Sequence, residues 1–359
     1  MVAGLALLAL LSLDGTAVDS PAADPLASSS EIQVFLEEKI RPGLSQQQRL
    51  EALLHLVLDK KGFGFEYGPA TKTAVETFQD RTGNCLSFTN LFVVMARQLG
   101  LRAHFREVAM PPTWKRDGRV VLMGAHVNVV VPVGTRNFVV DLLPELDPVT
   151  LGGRIVSDAR ARTHYFSNLG AEHLSVGDPA GAMEHFRVAL EHDSTAGFVW
   201  VNLGVAFTMA GQLSDAEEAY EKALRLDRQD LVATSNMARL QQRLGNLEKA
   251  AEYREKAEKF QQKNPYYHFF LGEEAYLAGD FSTAADHYRS ALKLKSDDHT
   301  FHFGLARTYI HLNQPERAAG ELQKALRFAP QQFEHRYSRK LELLQGDDCG
   351  SAAEVLKVP

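Results

Sequence analysis

Cysteine is scarce in this chain, with only Cys85 and Cys349 among 359 residues. The two cysteines have unrelated sequence contexts, so they predict no disulfide framework. Basic residues are also in the minority, since 39 Lys and Arg stand against 45 Asp and Glu and the formal net charge is −6. This balance argues against a nucleic-acid-binding protein, which usually carries a basic surface. A thiol kept in so cysteine-poor a chain suggests chemistry.

Long apolar segments are missing as well. The first residues, MVAGLALLALLSL, are apolar but too few to cross a bilayer. They resemble the hydrophobic region of a secretory signal, although no Lys or Arg occurs before Lys39. We therefore expect export, for example to the periplasm, with candidate cleavage positions at 17–23. The alternatives are a misassigned start codon or a packed N-terminal helix, and the protein would then be cytoplasmic. Residues 1–30 form this signal-like segment and a linker rich in Asp, Ser, Pro and Ala.

The second half of the chain repeats with a period of 34 residues. A small residue begins the pattern, an alanine follows 12 positions later, and a second alanine follows 7 positions after the first. The small residues are Gly170, Gly204, Ala238, Gly272 and Ala306, and the bulky residues between the alanines are Phe186, Tyr220, Tyr253, Tyr288 and Leu322. Small residues at fixed spacing allow two antiparallel helices to approach closely, and the bulky side chain fills the space beside them.

This pattern resembles the tetratricopeptide repeat over residues 163–332. The second segment matches the family best, through Trp200, Leu203, Gly204, Phe207, Ala216, Tyr220 and Ala223. The predicted repeats are 163–196, 197–230, 231–264, 265–298 and 299–332, followed by a capping helix at 333–346 and a tail at 347–359. The resemblance implies an all-α solenoid whose first helices line a groove for a protein or peptide partner.

Three asparagines, Asn168, Asn202 and Asn236, occupy the same position in successive first helices. Each amide offers both a donor and an acceptor, so a ladder of them would grip a peptide backbone without reading its sequence. The alternative is that these amides cap helices or are simply hydrated. The ladder ends before the fourth repeat, which has no asparagine at this position.

The first half predicts helices at 31–60 and 71–79, then a helix of unusual composition. From Cys85 to Ala96 the chain carries no charge and is apolar on every side, which is typical of a buried central helix. A helix N-terminus favours a thiolate, so Cys85 at its start is a predicted nucleophile. Gly83 allows close backbone approach, and the Cys85 N–H is a candidate oxyanion donor.

Three strands are predicted next, at 101–108, 119–133 and 138–143. The second contains His126 and the third contains Asp141. A hairpin turn centred between residues 133 and 134 places these two side chains opposite each other, whereas a wider turn around 134–137 breaks the pairing. Cysteine, histidine and acid in this order form an activated-nucleophile constellation, with His126 as base and Asp141 as its orienting acid.

The segments Thr82–Cys85, His126–Val131 and Phe138–Asp141 resemble the three motifs of the transglutaminase-like superfamily, over roughly residues 45–145. The resemblance implies a papain-like α+β fold, placed at residues 31–158, and a thioester acyl-enzyme. By analogy with papain-like proteases, Gln79 is a candidate side-chain donor to the oxyanion. The predicted fold class is thus a papain- or transglutaminase-like α+β domain followed by an all-α tetratricopeptide solenoid.

Three functions fit these residues. The first is a thiol peptidase or amidohydrolase that uses Cys85, His126 and Asp141 and is supplied by the repeats. The second is a protein-glutamine transglutaminase, in which an amine replaces water. The third is an inactive scaffold whose repeats carry the function. The sequence indicates no metal site, since its 13 histidines are scattered, and no phosphate-binding loop or other cofactor site.

Overall fold

The computed structural model describes residues 23–59, 62–108, 126–142 and 153–345. The signal-like run and the C-terminal tail with Cys349 lie outside these residues, so export and the tail stay predictions. Within the described ranges, the chain forms an α+β domain and then an array of helices.

Four helices build the first layer of the α+β domain, two of them within residues 31–60, one at 74–80 and one that begins at Cys85. Each begins at a Ser, Thr or Asn whose side chain accepts a free N–H of the first turn. The helices are α1 (Ser30–Lys39), α2 (Gln46–Leu58), α3 (Ala74–Asp80) and α4 (Cys85–Gln98).

Helix α4 is the centre of the domain core. Every residue from Leu86 to Ala96 is buried, and Phe88, Leu91 and Phe92 are at most 1% exposed. Helices α1, α2 and α3 and the main sheet all contact it. The absence of charge along this helix follows from its position, because no side of the segment faces water.

A four-stranded antiparallel sheet packs on α4, chiefly through the strand that begins at His126. The strands are β3 (His104–Val108), β4 (His126–Val133), β5 (Arg136–Val140) and β6 (Gly153–Val156), and their order is β5-β4-β3-β6. Strands β3, β4 and β5 overlap the three predicted at 101–108, 119–133 and 138–143, of which residues 119–125 and 143 lie outside the described residues. Strand β6 was not predicted, because its four largely exposed residues show no alternation of apolar and polar side chains.

A second, smaller sheet lies in a segment for which the sequence predicts no strand. Strand β1 (Glu66–Tyr67) pairs in parallel with β2 (Thr82–Gly83), directly before Cys85. Two-residue strands show no periodicity, so the sequence could not reveal them.

The rest of the described chain is a stack of helix pairs followed by one further helix. The pairs are α5 (Asp158–Ser175) with α6 (Pro179–His192), α7 (Gly197–Met209) with α8 (Leu213–Leu226), α9 (Leu231–Arg243) with α10 (Leu247–Gln262), α11 (Pro265–Leu277) with α12 (Phe281–Leu294), and α13 (His299–His311) with α14 (Pro315–Phe328). Helix α15 (Gln331–Gln345) follows and packs on α14. Among the residues that can be described, no helix is both long and apolar enough to cross a membrane.

Small and bulky residues meet within the helix pairs as the repeat spacing predicts. A Cβ built on Gly170 would lie 2.5 Å from the ring of Phe186, and one on Gly204 would lie 2.5 Å from the ring of Tyr220. Because Cβ atoms do not tolerate such distances, the rings occupy the space that the missing side chains leave free. The 34-residue period therefore reflects the repeated packing of a bulky ring against a small residue within each of these helix pairs.

Charged side chains join the α+β domain to the first helix pair. Glu107 of β3 contacts Arg154, Arg160 and His164, and Arg160 also contacts Asp193 of the first pair. Burial opposes the charge on Glu107, but the contacts with His164 and Arg160 outweigh it and hold the pKa of this carboxyl far below its usual value. The sheet and the array thus share a partly buried ionic network.

Candidate functional site

Cys85 is the first residue of α4, and its free thiol is half-buried. The preceding residue, Asn84, caps the helix, since its Oδ1 accepts the Ser87 N–H over 3.0 Å. This cap fixes the first turn, which directs its partial positive charge and free N–H groups toward the thiol. The predicted nucleophile therefore lies at a helix N-terminus that solvent reaches.

The backbone before Cys85 is tightly packed. A Cβ on Gly83 would lie 2.5 Å from the Cβ of Ser87, so only glycine fits here. Gly83 pairs with Tyr67 of β1, whose ring is 67% exposed. Partial burial, together with the charge at Cys85, raises the pKa of Tyr67. This phenol borders the thiol, and no pattern in the sequence pointed to it.

His126 opens strand β4, and its ring is held by Asp141. The Nε2 atom of His126 lies 2.6 Å from Oδ2 of Asp141, and the two side chains are 5% and 6% exposed. Asn128, two residues further along the same face of β4, donates its Nδ2 to the same carboxylate oxygen over 3.0 Å. The Asp141 carboxylate therefore has hydrogen bonds to His126 and to Asn128 in a site that is largely shielded from solvent.

The strand register differs from the one that the turn chemistry suggested. Val133 pairs with Arg136, which makes Gly134-Thr135 the two-residue turn, and Gly134 has a positive φ of 60°. Continuing this register puts Asp141 opposite Asn128, with His126 as its diagonal neighbour. Diagonal neighbours in a sheet are still within reach of long side chains. The contact between His126 and Asp141 therefore exists, but not as a directly opposed pair.

The Cys85 thiol also contacts the His126 ring. Burial disfavours the charged ring, but hydrogen bonds to Asp141 and to Cys85 outweigh it and raise the pKa of His126 to about 9. Because Nε2 is turned to Asp141, Nδ1 is the ring nitrogen left for the thiol. The structure thus brings the three predicted side chains together in series. Their catalytic roles stay predictions.

The Thr89 hydroxyl lies between the two elements that carry Cys85 and His126, and its one proton is shared by two carbonyl oxygens. The Thr89 hydroxyl, one turn after Cys85, lies 2.8 Å from the Cys85 carbonyl oxygen and 3.1 Å from that of Val127. Val127 follows His126 directly, and Thr89 is 3% exposed. This contact helps to set the distance between helix and strand. The sequence did not reveal it, because a lone hydroxyl in an apolar helix does not indicate which residue it contacts.

Gln79 contacts α1, and its role as an oxyanion donor stays a prediction. Its side chain is exposed on α3, and its Nε2 lies 3.5 Å from Oε2 of Glu31 on α1. The analogy with papain-like proteases depends on the chain between the glutamine and the cysteine, and here that chain forms the β2 strand instead. We therefore leave Gln79 out of the proposed chemistry.

The asparagine ladder lies on α5, α7 and α9, where Asn168, Asn202 and Asn236 are half-buried. Asn202 donates to the Ser167 hydroxyl over 3.3 Å, so part of its hydrogen-bonding capacity is used between neighbouring helices. Asn202 thus has a structural contact, and the peptide-binding role of the three amides stays a prediction.

No metal centre is apparent in the described part of the chain, where His, Cys, Asp and Glu do not gather in groups of three or more that could hold an ion.

Family models identify both halves of the chain. Residues 35–140 match the transglutaminase-like superfamily, and residues 198–230, 235–298 and 275–340 match tetratricopeptide repeats. The chain therefore contains a transglutaminase-like domain followed by tetratricopeptide repeats, and the predicted fold class is confirmed. None of the curated proteins compared with this chain matches it.

Several solved structures are similar to part of this chain. MamA is 18% identical over 49% of this chain and 95% of its own, with a TM-score of 0.27. YrrB, titled a tetratricopeptide-repeat protein with an unusual peptide-binding site, is 20% identical over 49% of this chain and 91% of its own, with a TM-score of 0.26. A thermophilic repeat protein of Thermus thermophilus is 20% identical over 49% of this chain and 97% of its own, with a TM-score of 0.27.

Proposed function

We propose that the transglutaminase-like domain is a thiol enzyme that hydrolyses peptide or amide bonds, and that the repeats bind its protein or peptide partner. One observation carries the proposal. The buried ring of His126 contacts both the Cys85 thiol and, at 2.6 Å, the Asp141 carboxylate. A thiol, an imidazole and an acid in series are the groups that acyl transfer through sulfur requires.

In the state that starts the reaction, the proton of the Cys85 thiol resides on His126, whose raised pKa, about 9, keeps the ring protonated at neutral pH. The sulfur attacks the substrate carbonyl carbon, and the oxyanion that forms is met by the Cys85 N–H at the helix N-terminus. His126 then gives its proton to the nitrogen as the C–N bond breaks, and a thioester remains on Cys85. Water, deprotonated by His126, attacks the thioester and releases a carboxylic acid and the thiol.

Asp141 supports the protonated ring at each step. Its Oδ2 accepts from His126 and is itself held by Asn128, so the carboxylate stays aligned while the ring gains and loses its proton. The raised pKa of His126, about 9, agrees with a ring that holds its proton beside a carboxylate and a sulfur anion.

Solvent access favours water over an amine as the acceptor. The thiol is half-buried and the adjacent Tyr67 ring is 67% exposed, so a thioester on Cys85 would face solvent. An enzyme that transfers its acyl group to an amine needs a site that keeps water away from the thioester. The exposure of this site therefore favours hydrolysis over cross-linking.

The decisive experiment offers both acceptors to the same acyl-enzyme. Peptide pools are incubated with the protein with and without a fluorescent amine, and products are identified by mass spectrometry. We expect new carboxyl termini or released ammonia, little amine labelling, and no reaction for Cys85→Ala or Asp141→Asn. Amine labelling that depends on Cys85 would indicate a transglutaminase. A Cys85→Ala variant that retains every reaction and every cellular phenotype would leave only the scaffold.

The role assigned to the repeats has its own test. An inactive Cys85→Ala protein is used to measure peptide affinity, and Asn168→Ala and Asn236→Ala are expected to weaken binding because each removes a donor and an acceptor. Affinity that is unchanged in both variants would favour hydration or capping as the role of these amides.

A further inference from the structure

The first repeat helix reaches into the loop that precedes α3. Glu172, near the end of α5, accepts the Thr71 N–H on its Oε1 over 2.8 Å. Burial raises the pKa of Glu172, and its contacts with Thr71 and His173 oppose this shift. These two residues lie 101 positions apart in the chain, so the contact ties the repeat array to the α+β domain at a defined point.

The Thr71 side chain continues the connection toward the nucleophile. Its hydroxyl accepts Nδ2 of Asn84 over 2.7 Å, and the two residues are 7% and 9% exposed. Asn84 is the N-cap of α4 and directly precedes Cys85. A chain of hydrogen bonds therefore runs from Glu172 through Thr71 and Asn84 to the first turn of the nucleophile helix.

The same loop follows that first turn along its length. The Lys72 N–H donates to the Ser87 hydroxyl over 2.8 Å, and the Asn84 N–H donates to the Ala70 carbonyl over 3.2 Å. Ser87 in turn donates to Asn84. Residues 70–72 thus connect α5 with the start of α4. Among the described residues, the Glu172 carboxylate is the one hydrogen-bond acceptor for the Thr71 N–H.

We propose that Glu172 is a positioning residue through which the first repeat holds Cys85 in its reactive orientation. The inference rests on the proposed function, because it concerns the reactivity of the same thiol. It makes the array part of the catalytic unit rather than a separate binding module. Asn168 lies one helical turn before Glu172 on α5, so the predicted peptide-binding ladder begins beside this connection.

The test measures the rate of Cys85 alkylation by iodoacetamide between pH 5.5 and 9 in the full chain, with Cys349 as an internal reference. Glu172→Ala is expected to slow Cys85 about tenfold at neutral pH, since small displacements of a reacting group cost that much or more. Glu172→Gln, whose amide oxygen can still accept the Thr71 N–H, should recover most of the rate. Glu184→Ala removes an exposed acid of α6 and serves as the matched control.

Two further measurements separate this inference from the proposed function. Thr71→Val removes only the hydroxyl link and should slow Cys85 as Glu172→Ala does, without loss of the fold. Amide hydrogen exchange in residues 70–73 and 85–89 should rise in Glu172→Ala, whatever the chemistry of the thiol. If exchange and alkylation in Glu172→Ala equal those of the wild type, Glu172 is not a positioning residue. If wild-type Cys85 reacts no faster than an ordinary thiol, the proposed function fails, and the exchange data alone decide whether the connection exists.

Discussion

The side-chain amide of Asn128 donates to Oδ2 of Asp141 over 3.0 Å, the same oxygen that His126 contacts. Asn128 is 1% exposed and stands on the strand position opposite the acid. A carboxylate buried this deeply needs donors to remain ionised. Asn128 therefore supplies one of the donors that align the acid.

Asn128→Ala should weaken this arrangement measurably. Losing a hydrogen bond to a charged group is expected to lower the free energy of unfolding by about 1.5–3 kcal/mol and to slow Cys85 alkylation at neutral pH about tenfold. The control is Asn90→Ala, because Asn90 is equally buried in α4 but its amide has no hydrogen-bond partner within the described structure. Equal alkylation profiles for the two variants would contradict the role given to Asn128.

Thr89→Val tests whether the contact between helix and strand controls reactivity. The change keeps the shape but leaves the Val127 carbonyl without this donor, at an expected cost of about 1–3 kcal/mol. We expect slower alkylation of Cys85, because His126 adjoins Val127. Thr163→Val is the matched control: the Thr163 hydroxyl likewise lies between two carbonyl groups, at 3.1 Å from each, but in the array. Thr163→Val should lower stability and leave Cys85 reactivity unchanged; a parallel loss of reactivity in both variants would point to general destabilisation.

Two sequence patterns were enough to predict that Cys85 begins a buried helix and that the second half of the chain forms helix pairs. An uncharged segment has to be buried, and a strict 34-residue period of small and bulky residues has to pack as repeats. The hairpin register was harder, because Pro132 and Gly134 are both turn residues. Pro132 lies inside β4 even though proline has no backbone N–H to donate. This is possible because β3 pairs with His126–Val130 and, in the described register, does not reach Pro132.

Other parts of the site have no local signal at all. Thr71 and Glu172 meet only through tertiary packing, and Tyr67 is positioned by a strand of two residues. Such contacts depend on where separate elements dock, and neither periodicity nor turn chemistry encodes docking. The role of Gln79 as an oxyanion donor came from a spacing in another family and stays a prediction, and the sequence did not reveal the β2 strand that lies between Gln79 and Cys85.

The protonation of His126 should make stability depend on pH. Its pKa is raised from 6.5 to about 9, so the folded state holds the proton more tightly than the unfolded chain. The stabilisation is therefore complete below about pH 6.5 and is lost as the pH rises through about 9. A shift of this size corresponds to on the order of 3 kcal/mol. Urea unfolding of the wild type should weaken over this interval more than that of His126→Gln; curves that fall in parallel would show that the ring is not protonated in the fold.

Gly204→Ala should disturb the array without touching the thiol site. The added Cβ would lie 2.5 Å from the ring of Tyr220, so the helices of the second pair must separate, at an expected cost of about 1–3 kcal/mol. Gly320→Ala is the control, because nothing lies within 4 Å of its Cβ on α14, and the better helix propensity of alanine should stabilise the chain by up to about 1 kcal/mol. Thermal unfolding compares the two, and Cys85 alkylation should be the same in both. A Gly204→Ala protein as stable as Gly320→Ala would mean that the ring of Tyr220 can move aside, so that the small residue is not what sets the helix spacing.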